Sequence, residues 1–181
     1  MNIIVFGAHP DDCEISAGGT TVKFVREGHR VKFVSLTNGD RGHMATGSGE
    51  LARRRLIEAR ASASVLGVTS EVLDIHDCHL VPDVATRKLL VGLIREWEAD
   101  LVISHRPYDY HPDHRNAGIL VQDTAYLVMV PLFCSSVEPL RKNPVYMYLE
   151  DTFTSPESFR PDVIVPIDDV VDITTVRLFE N

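Results

Sequence analysis

Little in this sequence invites a membrane, a nucleic acid or a disulfide framework. No apolar run approaches the roughly 20 residues that a membrane-spanning helix needs. Basic residues are outnumbered 18 to 26, for a formal net charge of -8. That balance removes any general attraction to phosphate backbones or anionic lipid, so neither nucleic acid nor membrane is expected as a partner. The three cysteines, Cys13, Cys78 and Cys134, are an odd number, far apart, with no Cys-x-x-Cys pair. A disulfide set and a structural zinc ribbon are both excluded, and the thiols read as reduced groups of a cytoplasmic protein. The opening stretch 2–8 lacks a basic leader and reads as a first strand rather than a signal peptide. Repeats, linkers and low-complexity segments are absent. So are the G-x-G-x-x-G and Walker patterns, and the carboxylates ahead of Gly18-Gly19 would repel phosphate.

What is present is an ordinary globular composition, 44% hydrophobic and 24% charged over 181 residues. That length supports one domain, residues 1–181, with a substantial core. Residues 2–8 form a continuous apolar run closed by glycine, as a strand covered on both faces should. The pattern predicts further strands at 30–37, 71–75, 101–104, 145–149 and 163–167. Helices are expected at 15–27, 50–66, 84–97 and 115–128, with Gly28 and Gly67 as stops. On the third helix Leu89, Leu90, Leu93, Ile94 and Trp97 share one face. Strands alternating with helices imply parallel β-α-β units. The expected fold is therefore α/β: a Rossmann-like, doubly wound, mostly parallel sheet with helices on both faces.

In such sheets sites lie beyond the carboxyl ends of the strands, at the switch point in strand order. Two polar loops leave strands at that edge. The first reads His9-Pro10-Asp11-Asp12-Cys13-Glu14 and the second Tyr110-His111-Pro112-Asp113-His114-Arg115. Each holds a His-Pro-Asp step and a second potential ligand three residues after its histidine, on the same side of a helical turn. A lone His-Pro-Asp step is more often a plain turn. Two of them at strand ends point to a site. Imidazole nitrogen and carboxylate oxygen suit Zn²⁺, and two histidines with one carboxylate also suit Fe²⁺ or another divalent metal. His9, Asp11, Asp12 and Glu14 on one loop and His111, Asp113 and His114 on the other exceed what one ion needs. Spare groups remain for acid and base work.

Ala8-His9-Pro10-Asp11-Asp12, Gly18-Gly19 and His111-Pro112-Asp113-His114 together resemble the LmbE/PIG-L family of zinc-dependent N-deacetylases, which act on N-acetylglucosamine-type sugars. The likeness continues through Arg55-Leu56-Ile57-Glu58-Ala59 and Leu66-Gly67-Val68. It implies that His9, Asp12 and His114 bind zinc and that Asp11 is the general base. It further implies that His111 stabilises the oxyanion or protonates the leaving amine, oriented by Asp113, and that Arg55 contacts substrate. Two departures stand out. Cys13 occupies the place where familiar members have glutamate, with Glu14 one residue later, and no counterpart of the tail many members carry is found before Asn181.

Asn38 and Asp40, with His43, lie in the glycine-rich loop 38–49 at the same sheet edge and would suit hydroxyl recognition. Asp109 would line the pocket or brace a ligand. His76-Asp77-Cys78-His79 reads as a loop, since adjacent side chains point in opposing directions. The expected partner is a small N-acetylated sugar or glycoconjugate, with homo-oligomer formation left open. The alternative is a metal-dependent hydratase or lyase for an unsaturated carboxylic acid, with Arg55, Arg106 and Arg115 as its cationic groups. A non-catalytic carbohydrate-binding domain is the third reading.

Overall fold

In the computed structural model, which describes residues 1–173, strands and helices alternate along the chain. They are β1 (Asn2–Gly7), α1 (Asp12–Arg26), β2 (Arg30–Ser35), α2 (Ser48–Leu66), β3 (Thr69–Val72), α3 (Val84–Glu96), β4 (Leu101–Ser104), α4 (Pro112–Leu127) and β5 (Val145–Tyr148). The five strands form one sheet in the order β3-β2-β1-β4-β5. Every pairing is parallel. This is the Rossmann-like, doubly wound arrangement that the alternating pattern implies.

Period-two alternation in β1 explains how one strand serves two cores. Ile4 and Phe6 face a layer containing Val34, Val102, Leu90, Ile94 and Leu120, contributed in part by α3 and α4. Ile3 and Val5 face the opposite layer, with Phe33, Ile103, Ala17, Val22 and Leu66, which brings in α1 and α2. Each such side chain stabilises the fold by about 1.5–3 kcal/mol on full burial. Gly67 closes α2 in the left-handed region at φ 71°, as its place in the sequence anticipates. No helix among the described residues is long and apolar enough to cross a membrane.

Some bounds shift: α1 starts at Asp12 rather than 15, β2 ends at Ser35 rather than 37, and β3 is Thr69–Val72 rather than 71–75. Three further expectations need correction. No strand forms over 163–167; Pro161 just before it and Pro166 within it remove donors, and Val163 and Ile164 stay exposed. The fourth helix begins at Pro112 rather than 115, because proline at its first position and His111 as N-cap start it early. On α3, Leu89 turns to solvent and Arg95 is buried instead. Arg95 donates to the carbonyls of Leu127, Val128, Val130, Cys134 and Val137. A guanidinium has five N–H donors, and here all of them tie down the end of α4 and the chain beyond it.

The chain leaves β1 toward β2 and β3, then returns to place β4 on the other side of β1. The carboxyl ends of β1 and β4 therefore flank the switch point, where the two connecting loops part and open a crevice.

Candidate metal centre

Both His-Pro-Asp loops enter this crevice. From the β1 side, His9 lies in the loop and Asp12 opens α1. From the β4 side, His111 caps α4 and His114 sits in its first turn. The imidazole of His9 is 5.2 Å from that of His114 and 4.7 Å from that of His111, centroid to centroid. Asp12 bridges them: its Oδ2 is 3.5 Å from His9 Nδ1 and its Oδ1 is 3.4 Å from His114 Nε2. Ligand atoms of His9, His111 and His114 lie within 4.8 Å of one another.

The far nitrogens are held by carboxylates. Asp113 Oδ2 is 3.2 Å from His9 Nε2, and Asp109 Oδ2 is 2.9 Å from His114 Nδ1. A carboxylate on one ring nitrogen fixes the proton there and leaves the other lone pair free for a cation. Asp12 thus turns one oxygen to His9 Nδ1 and the other to His114 Nε2, and all three are donors of the type that borderline divalent metals accept. The residues present fit a divalent ion.

Their electrostatics agree. Burial opposes ionisation of Asp12, but contacts with His105 and His9 outweigh it and hold the carboxyl well below the usual range. Burial also opposes protonation of His9, yet its bond and charge interaction with Asp12 raise it to about 9. Burial pushes His114 down, against the attraction of Asp12. The cluster carries negative charge that His9 must neutralise with a proton when no cation does so.

Asp11 stands at the N-cap of α1 but makes no capping bond with its side chain. Its half-exposed carboxylate instead accepts from Arg55 Nη2 at 3.0 Å. Burial and the neighbouring Asp12 charge raise its pKa, while Arg55 works the other way. Gly39, at φ 75°, makes room for this pair: a Cβ there would lie 2.8 Å from Arg55 Cγ and 3.1 Å from Pro10 Cδ. His111 Nδ1 accepts from the backbone N–H of Asp113 at 3.2 Å. The Asp113 side chain orients His9, not His111; the expectation that it steers His111 is corrected to a main-chain contact.

The glycine-rich loop is stapled from within. Asp40 is buried, accepting from Ser48 Oγ at 2.5 Å and from the Asp77 backbone at 3.1 Å, with His76 Nδ1 at 2.6 Å. Asn38 donates to Asp74 and accepts from the Asp40 backbone N–H. Asp77 accepts from the backbones of Gly39 and Arg41. Asn38 and Asp40 are therefore placed in the bonds that join the loops after β2 and β3. None of the ion-sized donor groups among the described residues includes His76, Asp77 or His79. Asp109 also accepts from the His111 backbone at 2.8 Å. Cys13 is a buried thiol directed at the Val5 carbonyl.

Sequence reasoning passed over His105. It follows Ser104 directly and is buried, stacked on His114 with centroids 4.2 Å apart and planes 12° apart. Its Nε2 is 3.2 Å from Asp12 Oδ2 and 3.2 Å from the Ala8 backbone nitrogen. Asp12, His105 and His114 form another ion-sized group. The overlooked signal was position: a histidine immediately beyond a parallel strand at the switch point. Gly118 of α4 seats the loop that carries it, since a Cβ there would meet the Arg106 carbonyl carbon at 2.7 Å and the His105 oxygen at 2.8 Å.

Fold and donors together define a Rossmann-like protein with a cluster of histidines and carboxylates at its switch point that could hold a divalent cation. The chain belongs to the PIG-L family, described as GlcNAc-PI de-N-acetylase, matching it over residues 4–125. That stretch includes both His-Pro-Asp loops. It is 32% identical to diacetylchitobiose deacetylase of Thermococcus kodakarensis, over 99% of this chain and 69% of that protein. It is 28% identical to 4-oxalmesaconate hydratase of Pseudomonas putida, over 93% of this chain and 68% of that one. Among solved structures, N,N'-diacetylchitobiose deacetylase from Pyrococcus horikoshii superposes with TM-score 0.87 at 28% identity, covering 97% of this chain and 67% of that one.

Proposed function

We propose that this chain is a metal-dependent amide hydrolase that removes an acetyl group from an N-acetylglucosamine-type sugar, with His9, Asp12 and His114 as ligands to Zn²⁺. The observation that carries this is the placement of Asp12 between His9 Nδ1 and His114 Nε2, one carboxylate oxygen toward each, with Asp11 beside it in sequence. Fe²⁺ would fit the same donors. A bound divalent ion supplies Lewis acidity, polarising a carbonyl and acidifying water.

The chain's own groups supply the rest. Asp11, raised by burial and by Asp12, takes the proton from the attacking water. Arg55 holds its carboxylate in place through Oδ2. His111 has its Nδ1 lone pair engaged by the Asp113 N–H, so the neutral ring carries its proton on Nε2. That proton is a hydrogen-bond donor for the developing oxyanion. Losing it would leave an imidazolate, so the amine nitrogen takes its proton from Asp11 as the C–N bond breaks. Acetate and the free amine leave. Asp113 and Asp109 act through His9 and His114.

The hydratase relative gives the second reading its weight. A dicarboxylate substrate would call on unpaired cations, and the three arginines that the sequence offers are already engaged. Arg55 is bonded to Asp11, Arg106 grips Asp151 with two nitrogens, and Arg115 donates to the carbonyls of Asp109 and Tyr110. This favours the amide over the diacid. A cytoplasmic setting, with three free thiols, belongs to the same proposal. Metal-loaded protein should release acetate from N-acetylated amino sugars and lose that activity to a chelator. Hydration of an unsaturated dicarboxylate without acetate release from any sugar would reverse the assignment.

A further inference from the structure

The tight turn after β3 brings a third kind of donor to the crevice. His79 N–H closes this turn on the His76 carbonyl at 3.0 Å. Cys78 lies within it at φ 65°, a left-handed conformation that non-glycine residues adopt sparingly. Its thiol is exposed, and its backbone N–H donates to Asp113 Oδ2 at 2.6 Å. Ligand atoms of Cys78, His111 and Asp113 lie within 4.8 Å of one another. Asp113 is fully buried, and its Oδ1 has no hydrogen-bond partner. A buried carboxylate oxygen without a donor is costly and uncommon. A cation beside it would satisfy it.

We propose that Cys78, His111 and Asp113 form a second cation site, selective for soft or borderline ions such as Zn²⁺ and Cd²⁺, whose filling inhibits the enzyme. Sulfur sets it apart from the first site, whose donors are nitrogen and oxygen. Thiolate ligands favour Zn²⁺ and Cd²⁺ over the hard cations Mg²⁺ and Ca²⁺. Binding exchanges the thiol proton for the metal: the S–H bond breaks, an S–metal bond forms, and one proton is released to solvent.

Inhibition follows from what His111 must surrender. If Nδ1 takes the ion, it gives up the Asp113 N–H that caps α4. If Nε2 takes it, the ring proton moves to Nδ1, away from the oxyanion, and the Asp113 N–H is given up as well. In the second case the donor is withdrawn; in the first its Nε2 proton stays, but the ring is pulled off the cap that aims it. Asp113 bears on both sites, since its Oδ2 also holds His9 Nε2. This inhibitory consequence rests on the proposed hydrolytic function; the binding itself does not.

The test uses the full chain loaded with one equivalent of metal and then titrated with Cd²⁺. A second equivalent should raise the ultraviolet charge-transfer band of a cadmium–thiolate bond and release a proton, while acetate production falls in step. Cys78→Ser should keep the first equivalent and its turnover, lose the band, and need at least about tenfold more Cd²⁺ or Zn²⁺ for the same inhibition. Cys134→Ser should behave as the unaltered protein. A wild-type protein without the band, a band that survives Cys78→Ser and vanishes in Cys134→Ser, or unchanged inhibition in Cys78→Ser would each overturn the proposal. Absence of acetate release from every sugar would strike the hydrolytic reading alone, because the band and the stoichiometry need no turnover.

Discussion

Replacing Asp109 with alanine takes away the carboxylate that fixes His114, at a position where little else can compensate. Its Oδ2 is 2.9 Å from His114 Nδ1 and its Oδ1 accepts from the His111 backbone at 2.8 Å, with the side chain only 6% exposed. Without it, His114 is free to shift its proton to Nε2, the nitrogen that must hold a lone pair toward Asp12. Losing such a partner typically weakens metal binding about 10- to 100-fold, or about 1.4–2.7 kcal/mol. The uncapped His111 N–H adds about 1–3 kcal/mol of destabilisation if water does not replace the acceptor. Asp109→Asn separates the two effects. An amide oxygen can still accept one of these bonds but carries no charge, so folding stability should largely return while metal affinity stays about tenfold down. Competition with a chromophoric chelator measures the affinity, and thermal unfolding of the chelated protein measures the stability. If Asp109→Ala binds metal as tightly as the unaltered chain, ligation through His114 Nε2 is wrong.

Asp11→Asn should lower acetate release by about 10²-fold or more while metal affinity, read by the same competition, stays within about twofold; normal turnover would remove the base. Metal-free protein should release close to one proton from His9 on binding an ion at pH 7, and progressively less as pH rises through about 9, because His9 is raised to about 9. Calorimetry in buffers of different ionisation enthalpy counts the protons. Linkage gives the matching stability profile. With the folded value above the ordinary 6.5, His9 contributes on the order of 3 kcal/mol to the metal-free fold below pH 6.5, and this is lost as pH rises through about 9. A flat profile between those limits would contradict it. Arg95→Met leaves five carbonyls without their donor and should cost about 3 kcal/mol or more in denaturant unfolding; a change under about 1 kcal/mol would mean that water serves them as well.

The parts of the fold that the sequence made legible are those where one interaction dominates. β1 is apolar on both faces because helices cover both, and no competing arrangement suits Ile3 through Phe6. Helix stops at Gly28 and Gly67 follow from left-handed φ values of 81° and 71°. Legibility fails where burial is set by distant chain. Arg95 looks like a solvent-facing residue on α3 until the end of α4 and the segment beyond it bring five carbonyls to it. Leu89 looks like core until that same packing turns it outward. The 163–167 run has the apolar composition of a strand, but Pro161 before it and Pro166 within it withhold ladder donors.

The two His-Pro-Asp steps show why a motif locates a site more readily than it assigns roles. Both place histidine and a second ligand at i and i+3, and both stand at strand ends, so their convergence was readable. Their duties differ because they sit differently against the helix that follows. In the first loop the histidine precedes α1 by three residues, so His9 and Asp12 both point into the crevice. In the second, proline is the first helical residue, and His111 spends its Nδ1 on capping. Only His114 of that pair is then left with a carboxylate behind it and a lone pair in front. Asp113 follows the same logic. Its backbone serves the cap while its side chain crosses to His9, 104 residues away in sequence, a pairing that no local spacing could announce. Exchanging the two ligand loops would therefore not preserve the site, although their tripeptides are identical.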